Sequence, residues 1–445
     1  MTSAPELSIL LNLYAEIAPG TLFHFLQRNL GLTRRNGIYT PRVVMWMMMQ
    51  QRLDARGTLE STVAQLALGR FDPLLSQCKR TQEKNIGLGT GGYCQARQNL
   101  PKMLMERSVE EIVQRLRNHL SERLPQLDRP VYVIDGSSLQ LDPAAELKRA
   151  YPPARNPRRP SHWPVLRVVA LHDVMTGLAE VPCWGPMHGP EAVSEQALAE
   201  RAMSVLPPGA VLIADRNFGI FAIAYAARQR GQDVVVRMTE QRAKRLVGDP
   251  ISRPGAYTVE WKPSAHEQQK YELRPHQVLQ GRLIAGRIGR GKSKQWLYLF
   301  TTLPLAPEEV VEVYGKRWHI ETDLRSLKQT VRLNRLSVKS VDMMEKELLA
   351  AVLAYNLVRA VMCLAARKAG IPSRQLSFTY AYNLVQDGIA GVLAGATLAE
   401  QIERMDRVVD LVARCKLPKR TKRRAYPRAV WGRGRAFPSR KEKTK

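Results

Sequence analysis

Residues 131–136 read Val-Tyr-Val-Ile-Asp-Gly, and residues 211–216 read Val-Leu-Ile-Ala-Asp-Arg. Each is a four-residue apolar run that stops on an aspartate, Asp135 or Asp215, as a buried strand would when it ends on a carboxylate. Further short apolar runs lie at 165–171 (VLRVVAL), 234–236 (VVV) and 297–300 (LYLF), with helical stretches between several of them. Buried strands separated by helices indicate an α/β core. Ligand crevices in open sheets of this kind form at the carboxyl ends of the strands. Two carboxylates converging there from different strands can share a divalent cation, because hard ions prefer oxygen donors. One Asp after a strand is only a turn residue, and Asp173 in LHDVMTG reads that way.

Outward from these strands the character of the chain changes. Residues 1–125 read as helical. One helix starts at Thr40-Pro41, a cap residue followed by proline at the first helical position, and Met45 and Met47 to Met49 within it read as core filler. A second amphipathic helix spans Arg107 to Leu127, and Asp128-Arg129-Pro130 closes the region. A helix-turn-helix around Thr58 to Leu75 is not distinguishable from an ordinary helix pair. Residues 126–239 form the first part of the α/β core. Residues 240–298 interrupt its rhythm with Pro, Gly and alternating segments such as Tyr257–Trp261, as a β-rich insertion would. Residues 299–370 form the second part of the core, and 371–415 are helical. The tail, 416–445, carries 13 Lys or Arg against the single acid Glu442, the composition of a flexible basic segment.

The whole chain has 445 residues, enough for two to four structural units. Its 68 Lys and Arg against 40 Asp and Glu leave a charge of +28, which implies a polyanionic partner, usually nucleic acid. Five scattered cysteines without a CxxC pair argue against zinc or disulfides and for reduced cytosolic thiols. The eight histidines show no HExxH spacing. Glu6 inside the first apolar stretch, with no preceding positive charge, argues against a signal peptide. No run suggests a membrane span.

The segment 314–328, YGKRWHIETDLRSLK, adds a third acid. On a helical wheel Tyr314, Arg317, Glu321 and Lys328 fall within about 60° of one another, with Trp318, Arg325 and Arg332 on the same side. Val313, Ile320, Leu324, Leu327 and Val331 form the neighbouring stripe that would pack on a sheet. A solvated face would mix signs through i,i+4 pairs. One carboxylate among aromatics and cations instead suits a metal ligand beside a nucleic-acid backbone.

These residues resemble the DDE transposases of the insertion-sequence-four family. The resemblance rests on Asp135 in IDGS, Asp215 in ADRNFG, and the Y-(2)-R-(3)-E-(6)-K pattern of Tyr314, Arg317, Glu321 and Lys328, and it covers about residues 90–365. It implies a ribonuclease-H-like catalytic core split by a β-rich insertion before the glutamate helix. It also implies an N-terminal domain that binds the terminal inverted repeats of a mobile element. Two Mg²⁺ ions, with Mn²⁺ able to substitute, would be held by Asp135, Asp215 and Glu321. Cut-and-paste transposition would proceed by nicking, hairpin formation and strand transfer, carried out by a homodimer on double-stranded DNA in a bacterial, nucleoid-associated setting. By the same resemblance Tyr314, Arg317 and Lys328 clamp an extruded base and its phosphate, and Trp296 is the stacking tryptophan. Trp296 fits a core or sheet-edge position equally well, and Trp318 is a second stacking candidate.

Other basic groups are weaker candidates for DNA contact. Arg155, Arg158 and Arg159 lie in a proline-rich stretch with Lys148 and Arg149, and Arg423 and Arg424 lie in the tail. Gly286 to Ser293 satisfies the P-loop expression GxxxxGK[ST]. A P-loop requires a helix to follow, whereas Trp296 to Leu303 reads as a strand, so Arg290 and Lys292 fit a basic turn touching DNA. The remaining alternatives are a catalytically silent DNA-binding protein derived from a transposase and a P-loop ATPase acting on DNA.

Overall fold

The computed structural model describes residues 17–418, apart from 34–36, 55–56, 76–77, 84, 121, 156–160, 249–250, 289–294, 335 and 394–396. Helices α1 (Gly20–Asn29), α2 (Pro41–Leu53), α3 (Leu59–Ala67), α4 (Lys79–Gln82), α5 (Gly91–Asn99) and α6 (Lys102–Leu120) come first. The order continues β1 (Val131–Gln140), α7 (Ala145–Ala150), β2 (Val165–Asp173), β3 (Cys183–Pro186), α8 (Glu195–Met203), β4 (Val211–Ala214), α9 (Phe221–Gln229) and β5 (Asp233–Arg237). Then follow α10 (Glu240–Val247), β6 (Gly255–Trp261), α11 (Ala265–Tyr271), β7 (Leu279–Ile288) and β8 (Gln295–Thr301). The chain closes with α12 (Pro307–Gly315), α13 (Trp318–Arg325), α14 (Val341–Lys368), α15 (Phe378–Leu393) and α16 (Leu398–Arg414).

The strands form one sheet in the order β3-β2-β1-β4-β5-β8-β7-β6. β1, β4 and β5 are parallel neighbours, and the other pairings are antiparallel. Strands from the 240–298 stretch therefore continue the main sheet through the β5–β8 pairing. Strand alternation divides the core in two. Tyr132, Ile134, Leu212 and Ala214 face a cluster with α8 and α9. Val131, Val133, Val211 and Ile213 face Val310, Val313, Ile320 and Leu324 of α12 and α13.

Local chemistry moved several borders. β1 does not stop at Asp135, because its antiparallel pairing with β2 runs on to Gln140 opposite Val165. The amphipathic helix expected from Arg107 starts at Lys102, directly after Pro101, and ends at Leu120, so that Leu104 and Met105 join its buried stripe. Tyr314 to Lys328 is not one helix: α12 ends at Gly315, a turn follows, and after α13 the backbone forms a π-helix at Ser326–Thr330. The expected apolar stripe of Val313, Ile320, Leu324, Leu327 and Val331 is nevertheless buried. Met45 and Met47 to Met49 are fully inside. Asp173 closes its turn by accepting from the backbone N–H groups of Met175 and Thr176.

α14 has the length and apolarity of a membrane span, which the sequence reading did not anticipate, but its apolar window is wholly buried in the protein. The N-terminal helices pack on it in one continuous core. Its buried Glu347 accepts hydrogen bonds from Arg52 and Arg97 of those helices.

On the other side, α14 helps hold α13. Asp323 of α13 is completely buried and accepts from Arg374 Nη1 with both carboxylate oxygens at 2.8 Å, and from Arg359 of α14. Arg374 also donates to the carbonyls of Val174 and Asp173, both at 2.8 Å, tying the end of β2 to the same point. Gly177, at φ +77°, lets the turn after β2 pass these arginines, since a Cβ there would lie 2.8 Å from Arg359 Nε. Burial alone would raise the Asp323 pKa, but the charges of Arg374 and Arg359 outweigh it and hold the carboxyl at about 2. Asp323→Asn leaves two guanidinium groups uncompensated in a dry site, and a loss of about 3–5 kcal/mol in urea unfolding is expected. The wild-type contribution should be complete above about pH 4 and fade as pH falls toward the folded-state value near 2, a limb the variant should lack.

Candidate active site

The parallel register brings the first two acids together. Ile134 of β1 is level with Ala214 of β4, on strands about 4.8 Å apart, so Asp135 and Asp215, each the next residue, stand side by side. Asp135 continues the alternation of Val133 and so faces α12 and α13, and the Asp215 charge acts on Tyr314 of α12 on that side. β4 ends at Ala214, which leaves β1 without a neighbour on that side from Asp135 onward and opens the crevice. Asp215 lies on the loop beyond and accepts from the Asn217 backbone N–H at 2.8 Å through Oδ1.

Glu321, on α13, faces this pair across Arg317. The Arg317 guanidinium donates to Glu321 Oε1 at 2.9 Å and stands 4.0 Å from Asp135 Oδ2. Burial pulls the Arg317 pKa down, but the hydrogen bond to Glu321 and the charges around it raise it overall. Asp135 is pushed up to about 6, first by burial and then by the neighbouring Asp215 charge, despite the Gly136 N–H bond and Arg317 acting the other way. Tyr314 is buried beside Arg317, Arg237 and Asp215, and burial raises its hydroxyl pKa. Lys328, at the π-turn, donates to Ser137 Oγ at 3.2 Å and to the Ser138 carbonyl at 2.8 Å, just past Asp135 on β1. Its pKa is lowered by burial.

Among the described residues no three acid, histidine or cysteine groups are close enough to hold a metal ion as they stand. The donors are nonetheless of the right kind for a hard divalent ion. Asp135 and Asp215 are adjacent carboxylates whose mutual repulsion is visible in the raised Asp135 pKa, and Glu321 is the next acid across Arg317.

The two tryptophans separate. Trp318 begins α13, next to Arg317, and is 53% exposed. Trp296 lies within β8, as the strand expected from it would place it. It alternates with Tyr298 and Phe300 toward the α8–α9 side, the face opposite Asp135 and Asp215. Its ring stacks on Tyr298 with centroids 5.8 Å apart and is covered by the Arg287 guanidinium at 4.7 Å. Trp296 is thus not brought to the acids. Arg155 is exposed after α7. Arg158, Arg159, Arg290, Lys292, Arg423 and Arg424 fall outside the described residues. β7 leads into residues 289–294 and β8 follows them, so the P-loop-like string has a strand rather than a helix after it. Sequence reasoning missed Ser137 and Glu195. No residue pattern marks Glu195, although the Asn217 side chain that reaches it sits two residues after Asp215.

The chain is similar to several known proteins. The family described as "Transposase DDE domain" matches residues 126–357, more than half of the chain. The chain is 27% identical over 320 residues to "Transposase InsG for insertion sequence element IS4" of Escherichia coli (strain K12), covering 70% of each protein. Among solved structures, the cryo-EM structure of the piggyBac transposase synaptic complex with hairpin DNA aligns with a TM-score of 0.44 at 11% identity, covering 92% of this chain and 86% of that one.

The field at Asp135 can be read directly. Its carboxyl carbon should titrate near pH 6. Because that value is raised, its contribution to stability is present below about pH 4 and lost as pH rises through 6. Asp215→Asn should move the midpoint down and Arg317→Ala should move it up, and carbon-13 NMR would detect either shift.

Proposed function

Since the chain belongs to the transposase DDE-domain family, as a DDE transposase of the insertion-sequence-four group and so an enzyme that cleaves and transfers DNA strands, we propose that it excises and inserts a mobile element by the cut-and-paste route. It would bind the terminal inverted repeats, nick them, form a hairpin on each element end, and join the reopened ends to target DNA as a homodimer. The observation that carries this reading is the level register of Asp135 and Asp215 on neighbouring parallel strands, with Glu321 facing them across Arg317. The sheet order of β3-β2-β1-β4-β5, mixed around β1, supports a ribonuclease-H-like core.

The family depends on divalent metal in general. Asp135, Asp215 and Glu321 would hold two Mg²⁺ ions, which when bound supply Lewis-acid activation of the attacking oxygen and of the phosphodiester. The chain's own groups do the rest. Arg317 and Lys328 offer positive charge to the phosphates flanking the scissile bond, a role that Arg fulfils bidentately. Tyr314 buttresses Arg317 from within the core. Trp318 is the exposed aromatic nearest these groups in sequence, and it can stack on a base drawn out of the duplex when the hairpin forms. The basic tail would add sequence-independent affinity.

Asp135→Asn, Asp215→Asn and Glu321→Gln should each remove Mg²⁺-dependent nicking of a labelled element end. Binding of that end should stay within about tenfold, since affinity comes from distributed cations. Normal nicking by any one purified variant overturns the assignment of that acid, and nicking that is absent from the wild type as well favours a silent DNA-binding protein. Trp318→Ala should spare the first nick and lower hairpin yield by the loss of roughly 1–3 kcal/mol of stacking. An abasic nucleotide at the extruded position should partly restore the yield. If Trp296→Ala shows that pattern instead, the stacking role belongs to Trp296.

A further inference from the structure

Asp215 stands on the loop that follows β4, and a carboxylate on the far side of the sheet steadies that loop. Glu195 opens α8, after the Ser194 cap. It accepts a hydrogen bond from the Asn217 side-chain amide. Gln196, the next residue of α8, donates from Nε2 to the Asn217 carbonyl and side-chain oxygens, both at 3.1 Å. Asn217 in turn gives its backbone N–H to Asp215 Oδ1 at 2.8 Å. The Glu195 carboxylate also fills the space beside Gly136: a Cβ on that glycine would lie 2.5 Å from Glu195 Cδ and 2.7 and 2.8 Å from its two oxygens. Gly136 follows Asp135 directly and points to the opposite face. Glu195 thus lies behind β1, while Glu321 lies in front.

We propose that Glu195 is a positioning residue for the metal site: through Asn217 it fixes the Asp215 carboxylate with Oδ1 engaged and Oδ2 left to bind the cation. Gly136 carries no side chain because the Glu195 carboxylate stands in its place. The proposal rests on Asp215 being a metal ligand. Its physical basis is that carboxylate ligands are oriented by their own hydrogen-bond partners, whose loss typically lowers metal affinity by about 10–100-fold. Among the described residues, Asp215 receives a hydrogen bond from its own loop through the Asn217 backbone N–H, and the Asn217 side chain is held in turn by Glu195 and Gln196. Glu195 acts as a hydrogen-bond acceptor, which an amide oxygen can replace.

The test is Mn²⁺ binding to the full-length protein without DNA, by calorimetric titration, with the melting temperature of every variant recorded. Asp215→Asn is the reference. Glu195→Ala should weaken Mn²⁺ binding by about tenfold or more, whereas Glu195→Gln should keep affinity near wild type. Gly136→Ala meets only the far end of a flexible side chain, so it should fold normally, displace the carboxylate and weaken Mn²⁺ binding to a similar degree. Added to Glu195→Ala, it should cost nothing further, because the two changes break one linkage. Wild-type affinity in Glu195→Ala overturns the proposal, as does an equal loss in Glu195→Gln, which would make charge the cause. Additive losses from Gly136→Ala and Glu195→Ala overturn it too. Should Glu195→Ala fail to fold, Glu195→Gln and Gly136→Ala decide between the same outcomes. Unchanged Mn²⁺ affinity in Asp215→Asn would instead reject Asp215 as a ligand, and the proposal with it. Loss in Asp215→Asn but not in Glu195→Ala rejects the positioning role alone.

Discussion

Asp323 carries a charge where no water reaches, and it can do so because Arg359 and Arg374 arrive from two other parts of the chain to meet it. An isolated buried carboxylate would take up a proton, but two guanidinium groups keep this one ionised. Charge-assisted hydrogen bonds of this kind are directional. The pairing therefore does more than neutralise charge: it sets the rotation of α13 about its axis. Glu321 lies two residues before Asp323, so one face of the short helix is fixed by a buried ion cluster while the other presents a carboxylate to the crevice. Arg374 bonds the carbonyls of Asp173 and Val174 at the same time, which makes the position of α13 relative to the sheet part of that constraint.

The front of the site inherits that placement. Apolar packing of Ile320 and Leu324 against the sheet fixes the distance of α13 from the strands, and the parallel register of β1 and β4 fixes where the two aspartates stand. Arg317 then bridges the helix and the strand, with one hydrogen bond to Glu321 and a longer ionic contact to Asp135. Its charge opposes burial and the neighbouring Asp215 charge without overcoming them, so the Asp135 pKa stays high even with a guanidinium nearby. An excess of negative charge on oxygen ligands is the condition under which a divalent cation binds well.

Much of this was legible in the sequence, for identifiable reasons. Strand runs such as VYVI and VLIA are buried on both faces and so appear as continuous apolar stretches. The stripe from Val313 to Val331 is readable because side-chain periodicity survives small changes in helix geometry. The continuation of β1 beyond Asp135 was not readable, because it depends on pairing with β2, a contact between residues 135 and 170 that no local pattern encodes. The breaks at Gly315 and at Ser326–Thr330 were hidden for the opposite reason: each shifts phase by only a residue or so, leaving the apolar positions buried while moving Lys328 to Ser137. Trp296 shows the limit of matching by spacing. Its place in the chain agrees with the stacking residue expected from the resemblance, but strand alternation sends it to the other face. Glu195 left no trace at all, because its neighbour is a glycine 59 positions earlier, and what links them is the space that the glycine lacks.

Net charge is a coarser guide than it looks. The surplus of +28 counts every guanidinium alike, yet several hold the fold together. Arg52 and Arg97 bind Glu347, Arg359 and Arg374 bind Asp323, and Arg129 and Arg228 share Asp233. Arg282 is spent on the carbonyls of Leu303 and Leu305. A buried cation already bonded to a carboxylate has no field left over for a phosphate, because its partner cancels it at distances beyond a few ångströms. The charge that a polyanion meets is therefore concentrated where arginine and lysine lack such partners. By composition, the segment 416–445 carries 13 basic residues against a single acid. Charge in the folded body instead matters locally, at places such as Lys328, which meets a hydroxyl and a carbonyl rather than a carboxylate.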